Sequence, residues 1–356
     1  MIQREIFRPI RARGVRLAVL IDDQLNAGPS RPAALLQNQA ITRIKVAVGF
    51  YLSTPKCQLT PKPAARFLGM LVDAPAQCFL VPPDKVAKFT AAAEAALAAP
   101  TVSHRTIAQL AGTMVSFGHA IELAPLMARS VHKAHTGSEG WDELYPTPQA
   151  FQADLRIFLR LLESTNGTKS WARRAASVVA VGDASDSALA AYFKRPADLP
   201  FIHVPLTPEQ RQRVVAHELS STERELMALQ AVVSTLLGYH HRHLLEHGCL
   251  QYYTDSQAEM HAVLGMKGGP STFPLVRAIR LSLASIDARL DVVWHPRTNP
   301  DAQLADYLSK LEDNSQWSLN DEVGICGARH LRSGVSQGSH RHADTGFKGL
   351  ALPLEL

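Results

Sequence analysis

From Ser177 onward the chain alternates strands with amphipathic helices, in an order that few folds accommodate, and opens on a β-branched run. Ser177-Val178-Val179-Ala180-Val181, Ser187 to Phe193 and Phe201 to Leu206 read as three strands with no helix between them. Consecutive strands of this kind pair antiparallel. A long helix follows from Ser221, with Leu226, Leu229, Val233, Leu236 and Leu237 on its apolar side. Leu250 to Thr254 is a fourth strand. Two helices follow near 256–266 and 273–287, Leu290 to Trp294 is a fifth strand, and 301–311 is a last helix. A strand reached across a helix adds to the same sheet in parallel. The expected fold class is therefore α/β (α+β), with a mixed five-stranded sheet and flanking helices over residues 173–311.

Four acids stand at informative points of this order. Asp183 follows Val178-Val179-Ala180-Val181-Gly182, and Asp255 follows Tyr252-Tyr253-Thr254, so each closes an apolar strand. Glu225 lies near the start of the long helix, and Asp306 lies in the last helix between Ala305 and Leu308. Four carboxylates brought together without a cation repel one another. Hard divalent cations offset that repulsion with oxygen ligands, and two such ions ~3.5–4 Å apart suit phosphodiester cleavage without a nucleophilic side chain. Taken singly, each acid reads more readily as ordinary surface charge. The fold order and the local strings are what set the four apart.

Composition narrows the class. Hydrophobic residues make up 46% of the 356 and charged residues 19%, enough for buried cores. No apolar run reaches the ~18–20 residues that span a bilayer, and the first residues lack the layout of a signal peptide. No membrane partner is expected, and the location expected is intracellular. Net charge is +5, which permits a polyanion partner without requiring one. Cys57, Cys78, Cys249 and Cys326 form no C-x-x-C pair, so neither a zinc ribbon nor a disulfide framework is indicated.

The first half divides differently. Residues 1–82 read as short strands and turns around a helix at 33–48. Phe67 to Val72 and Gln77 to Val81 form two runs about Asp73-Ala74-Pro75, the pattern of a hairpin. Residues 83–163 read as all helix: an Ala-rich segment stopped by Pro100, a helix capped by Ser103, and one opened by Thr147-Pro148 with Phe151, Leu155, Phe158, Leu159 and Leu162 as its stripe. Residues 164–172 look like a tether. Residues 312–356, with a Gly-, Ser-, Arg- and His-rich stretch from His330 to His342, read as a poorly ordered tail.

Residues 178–310 resemble a type 1 ribonuclease H domain of a retroelement. The matching strings are Val181-Gly182-Asp183-Ala184-Ser185, Ser221-Thr222-Glu223-Arg224-Glu225-Leu226, Tyr253-Thr254-Asp255-Ser256-Gln257 and Ala305-Asp306-Tyr307-Leu308-Ser309-Lys310. Upstream, Val19-Leu20-Ile21-Asp22-Asp23 is similar to the Tyr-x-Asp-Asp turn of a reverse transcriptase palm. Gly49 to Thr60, then Phe67-Leu68-Gly69, is similar to the family's segment between that turn and the primer-grip hairpin. Residues 83–163 then look like a helical thumb or connection. The combination, over about residues 15–318, is most similar to tyrosine-recombinase retroelements of the DIRS type, and next to long-terminal-repeat elements of the gypsy kind.

The resemblance implies hydrolysis of the RNA strand of an RNA–DNA hybrid, leaving a 3′ hydroxyl, with two Mg²⁺ or Mn²⁺ ions held by Asp183, Glu225, Asp255 and Asp306. It assigns the second acid to Glu225 of the Arg-Glu-Leu string and not to Glu223. Glu225 would also orient water and the RNA 2′-OH, the group that distinguishes RNA from DNA. His295, after Trp294, matches a loop His that helps product release in some members. Asp22 and Asp23 would be a remnant of the polymerase motif. Leu20 stands where the family has Tyr, and the chain starts just before that turn, so no polymerase activity is expected of it alone.

Arg224, Lys267, Arg277, Arg280 and Arg297 are candidates for phosphate contacts, with Arg129, His132 and Lys133 of the helical segment as a further grip. His240-His241-Arg242-His243 reads as a solvated helix end. From about Gly324 the text no longer looks family-like, as a frameshifted or decayed end would not. The alternative function is a catalytically inactive nucleic-acid-binding remnant. A DNA-cutting nuclease or integrase of the same fold is disfavoured by the Arg-Glu-Leu and Ala-Asp-x-Leu-Ser strings.

Overall fold

The computed structural model describes residues 5–20, 23–133, 140–172, 174–199, 201–238 and 240–311. The expected tail at 312–356 and Asp22 lie outside them. The chain forms two compact units, Met1–Arg173 and Arg174–Leu356. Among the described residues no helix is long and apolar enough to cross a membrane.

The first unit opens with a short helix, α1 (Arg8–Ala12), and an antiparallel pair, β1 (Arg16–Leu20) and β2 (Asp23–Ala27), in register Leu20 to Asp23. Leu17 and Val19 alternate onto one face of β1 and pack with Phe7, Ile10 and Ile41. Ile41 belongs to α2 (Arg31–Ala47), whose N-cap Ser30 accepts from the Ala33 amide.

The run Phe67 to Val72 is not one strand. Leu68 and Gly69 have φ of 49° and 77°, both left-handed, and form a two-residue turn between β3 (Ala64–Phe67) and β4 (Met70–Asp73). Hydrophobicity hides this break because the turn residue Leu68 is itself apolar and exposed. The second hairpin, from β4 to β5 (Cys78–Leu80), pairs Asp73 with Cys78 and turns at Asp73-Ala74-Pro75 as the runs imply.

Among the described residues of 83–163, four helices and one ribbon make up the segment. Helix α3 (Pro83–Ala98) ends before Pro100, and α4 (His104–Ser116) is capped by Ser103. Helices α5 (Ala124–Lys133) and α6 (Gln149–Thr165) follow. Phe89, Phe117 and Phe158 meet edge to face, with centroids 5.5 and 5.4 Å apart. The ribbon joins β6 (Thr101–Ser103) to β7 (Leu144–Pro146). It also moves the expected cap by one residue. Thr147 donates its hydroxyl to the Ala99 carbonyl and its amide to the Pro100 carbonyl, so Pro148 becomes the N-cap and Gln149 the first helical residue.

Residues 164–172 are not a free tether. Asn166 accepts from the Val81 amide at 2.8 Å and donates to the Val81 carbonyl at 3.1 Å, and Ser170 bridges Cys78. Val81 is 1% exposed, so truncating Asn166 leaves two buried backbone groups without partners. Asn166→Ala is expected to cost about 2 kcal/mol, read as a Tm lowered by ~4–8 °C in a thermal melt.

The second unit carries a five-stranded mixed sheet in the order β10-β9-β8-β11-β12. The strands are β8 (Val178–Ala184), β9 (Ala188–Arg195), β10 (Ile202–Pro205), β11 (Cys249–Thr254) and β12 (Arg289–Trp294). The first three pair antiparallel, while β11 runs parallel to β8 and β12 parallel to β11. The sequence of elements anticipates this antiparallel-then-parallel pairing, though not which strand β11 joins. A helix that periodicity does not single out, α7 (Pro208–Val215), follows β10 with a Thr207–Gln210 capping box. Then come α8 (Ser221–Leu237), a single turn α9 (Arg242–Leu245), α10 (Gln257–Leu264), α11 (Thr272–Ala284) and α12 (Pro300–Ser309). Leu304 and Leu308 of α12 close on Ala190 of β9. Leu189, Leu206 and Ala228 form a second cluster between sheet and α8.

Candidate metal centre

The parallel pairing of β8 and β11 brings two acids together. The register runs from Leu250 opposite Val178 to Tyr253 opposite Val181. Carried past the strand end, it sets Asp255 beside Asp183. The third acid comes from α8. Glu223 and Glu225 are two residues apart, roughly 200° around a helix, and point to different faces. Glu223 closes a capping box, accepting from the Ser220 amide at 3.0 Å and the Ser220 hydroxyl at 2.8 Å. Glu225 is thereby the one that faces the strand ends.

Asp183, Glu225 and Asp255 each offer an oxygen within 4.8 Å of the others. All three are deeply set: Asp183 and Glu225 are buried, and the Asp255 side chain is 9% exposed. The Ser309 hydroxyl of α12 donates to Asp183 Oδ2 at 2.6 Å. Burial pushes the Asp183 pKa up against that hydrogen bond, with Asp255 and then Asp306 adding to the rise. Burial likewise pushes Glu225 up, followed by the neighbouring Glu259, Asp183 and Asp255. Its Oε2 has no partner among the described residues.

Asp306 and His295 do not join this group. Asp306 lies one helical turn before Ser309, whose hydroxyl also reaches the Asp306 carbonyl at 2.9 Å. Its carboxylate is half-exposed and paired with Lys310 Nζ at 2.6 Å. The His295 ring lies against Tyr253 with centroids 4.2 Å apart, and burial lowers its pKa. Asp23 begins β2 in the first unit and is exposed. The run from His240 to His243 belongs to no metal-holding group among the described residues.

Two expected phosphate contacts are structural. Arg224 is buried, donating to the Leu219 carbonyl and to Asp186 Oδ1 at 2.7 Å. Arg280 is 5% exposed and donates Nε and Nη2 to the Val263 carbonyl. Their neighbours in the sequence do not reveal this burial, because long basic side chains read as surface by default.

Two groups escaped the sequence reading. Glu259 on α10 is wholly buried, and burial pushes its pKa up against the Thr254 hydroxyl. Ser256-x-x-Glu259 has the sequence of a capping box. Only half of the box forms: the Glu259 amide donates to Ser256 Oγ at 3.2 Å, while the Ser256 amide donates to Thr254 Oγ1. Tyr252 is also fully buried, and its hydroxyl lacks a partner among the described residues.

The donor set fits a hard divalent cation. It is all carboxylate oxygen, its buried charges repel, and one inward oxygen is unengaged. Zinc sites favour nitrogen and sulfur ligands instead.

No family model matches the chain, and no curated protein matches it either. Among solved structures the chain is similar to the foamy viral protease-reverse transcriptase. One such structure, of a dRH form in complex with double-stranded DNA, is 13% identical with a TM-score of 0.42 over 82% of this chain and 47% of that one. Another, in complex with an RNA/DNA hybrid, is 14% identical with a TM-score of 0.38 over 84% and 37%. A third, with double-stranded DNA, is 12% identical with a TM-score of 0.42 over 83% and 57%. The chain thus matches between 37% and 57% of the length of these proteins.

Proposed function

We propose that the second unit is a metal-dependent endonuclease that hydrolyses the RNA strand of RNA–DNA hybrids. The observation that carries this reading is the convergence of Asp183, Glu225 and Asp255 within 4.8 Å at the ends of two parallel strands and one helix. The strings around Asp183, Glu225, Asp255 and Asp306 support it from the sequence side. On the same reading the protein belongs to a retroelement, of the DIRS or gypsy kind. The first unit then corresponds to part of a palm and thumb, with Asp23 opening β2.

Two divalent ions, Mg²⁺ or Mn²⁺, would when bound supply positive charge and an activated water for phosphodiester hydrolysis. Asp183 and Asp255 would hold the ions, with Glu225 a further ligand and Asp306 completing the second site. Ser309 fixes the rotamer of Asp183 by its hydrogen bond. Glu225 would also orient water and the ribose 2′-OH. His295 assists product departure.

The test is cleavage of a labelled RNA–DNA hybrid with Mg²⁺ or Mn²⁺, comparing wild type with Asp255→Asn. Cleavage by the wild type that is absent in the variant and on matched duplex DNA is expected. Salt-dependent hybrid binding without cleavage would instead make the protein a binding remnant.

A further inference from the structure

The acids of the site are met by two basic side chains. Arg297 donates Nε to Asp255 Oδ2 at 2.7 Å, and Lys310 pairs with Asp306. The arginine pair is unlike the structural arginines of the same unit. Arg224 and Arg280 are buried and direct their donors onto backbone carbonyls or carboxylates. Arg174 likewise divides its donors between two carbonyls and Asp287. Arg297 is 86% exposed, engages through Nε alone, and donates from neither Nη among the described residues. It therefore presents the outer half of a guanidinium to solvent directly beside the triad.

We propose that Arg297 is a displaceable guard of the metal centre that becomes its phosphate-binding residue. In the cation-free protein it neutralises Asp255; once a divalent cation takes that carboxylate, the guanidinium turns to a backbone phosphate of the substrate strand. The phosphate half rests on the hydrolase reading above.

Three physical points support the exchange. The guanidinium is 86% exposed and holds the carboxylate by one donor, so it keeps most of its hydration and yields to a doubly charged ion on the same oxygen. The backbone around Arg297 stays put while the side chain moves. The His295 amide donates to the Thr254 carbonyl, and the Asn299 amide to the Pro296 carbonyl. Asn299 also caps α12 through Asp301. A released guanidinium thus remains within one side-chain length of the acids, with its planar donor fork free for a phosphate. Finally, Trp294 is fixed beside the same acid. Its Nε1 donates to the Asp255 carbonyl at 2.9 Å, and its indole is 39% exposed. An exposed aromatic face and a mobile guanidinium on one rim suit a nucleic-acid strand.

The test uses the full chain with Arg297→Ala and, as a second variant, Arg297→Gln. The first arm titrates Mn²⁺ alone by calorimetry. Removing a competing cation is expected to tighten Mn²⁺ binding about three- to tenfold. The second arm measures binding of a labelled RNA–DNA hybrid in Ca²⁺ by anisotropy over a series of salt concentrations. Affinity is expected to fall about five- to tenfold, and the log–log salt slope to shrink by ~1, as loss of one phosphate contact predicts. Mn²⁺ affinity that is unchanged or weaker overturns the guard, and hybrid binding that is unchanged overturns the exchange. The Mn²⁺ arm contains no nucleic acid. A wild type that neither binds nor cleaves hybrid therefore counts against the hydrolase reading, while that arm still decides the guard.

Discussion

Glu225→Gln is expected to abolish the response of the protein to divalent cations and to lower hybrid cleavage by at least about a hundredfold, since even outer partners of metal ligands cost 10–100-fold. The same substitution is expected to flatten the pH dependence of stability in the absence of metal. Glu225 is raised above its ordinary value of 4.5 by burial and by the acids around it. Above that value the unfolded chain has lost the proton that the native state still holds. Stability from this group is therefore fully present below about pH 4.5 and is lost as pH rises toward the elevated native value. The limit is ~1.4 kcal/mol per pH unit per group, or ~2–4 °C of Tm per kcal/mol for a unit of this size. Glu259 and Asp183 act in the same direction. Melts in EDTA from pH 5 to pH 8 should thus show falling Tm for the wild type and a shallower fall for Glu225→Gln. Mg²⁺ or Mn²⁺ should raise the wild-type Tm most at pH 8, where the acids are otherwise least tolerated, and leave the variant unmoved. An equal pH slope in both proteins would show that Glu225 is not held protonated.

The second unit was the more legible half. Its strands are short apolar runs, its long helices carry clear stripes, and antiparallel followed by parallel pairing is what their order dictates. Asp183 and Asp255 stand out by closing apolar strands, but the fold order and the local strings were needed to separate them from surface charge. Distinguishing Glu225 from Glu223 took the family string, and the capping box supplies the physical reason. What stayed hidden depends on contacts that periodicity does not encode. Leu68 looks like strand because its apolar side chain says nothing of its left-handed backbone. Strands β6 and β7 have three residues each, too few for a period to register. Glu259 is disguised as a cap, and Arg224 and Arg280 as surface cations. Arg297 was one of five equal candidates until its pairing with Asp255 set it apart.

Gly182→Ala is expected to be among the most damaging single changes in the second unit, although it adds one methyl group. A Cβ at this position would lie 2.1 Å from the Tyr252 hydroxyl oxygen, 2.8 Å from Cζ and 3.0 Å from Cε2. Tyr252 is fully buried in the adjacent strand, so its ring has nowhere to withdraw without repacking. The expected cost is about 2–3 kcal/mol, a Tm drop of ~5–10 °C. Tyr252→Phe alone removes a buried hydroxyl without a partner and is expected to be neutral or stabilising by up to ~1 kcal/mol. In the double variant the tightest contact is gone but the ring carbons remain close, so part of the loss should return. The two substitutions should therefore be coupled by ~1 kcal/mol or more in a double-mutant cycle. Simple additivity would mean that Gly182 is required for some reason other than the approach of Tyr252. The position matters for more than packing. Gly182 directly precedes Asp183, so a strand displaced to admit the methyl group also carries away the acid that Ser309 holds at 2.6 Å. Cation-induced stabilisation should fall with the Tm in Gly182→Ala and recover with it in the double variant.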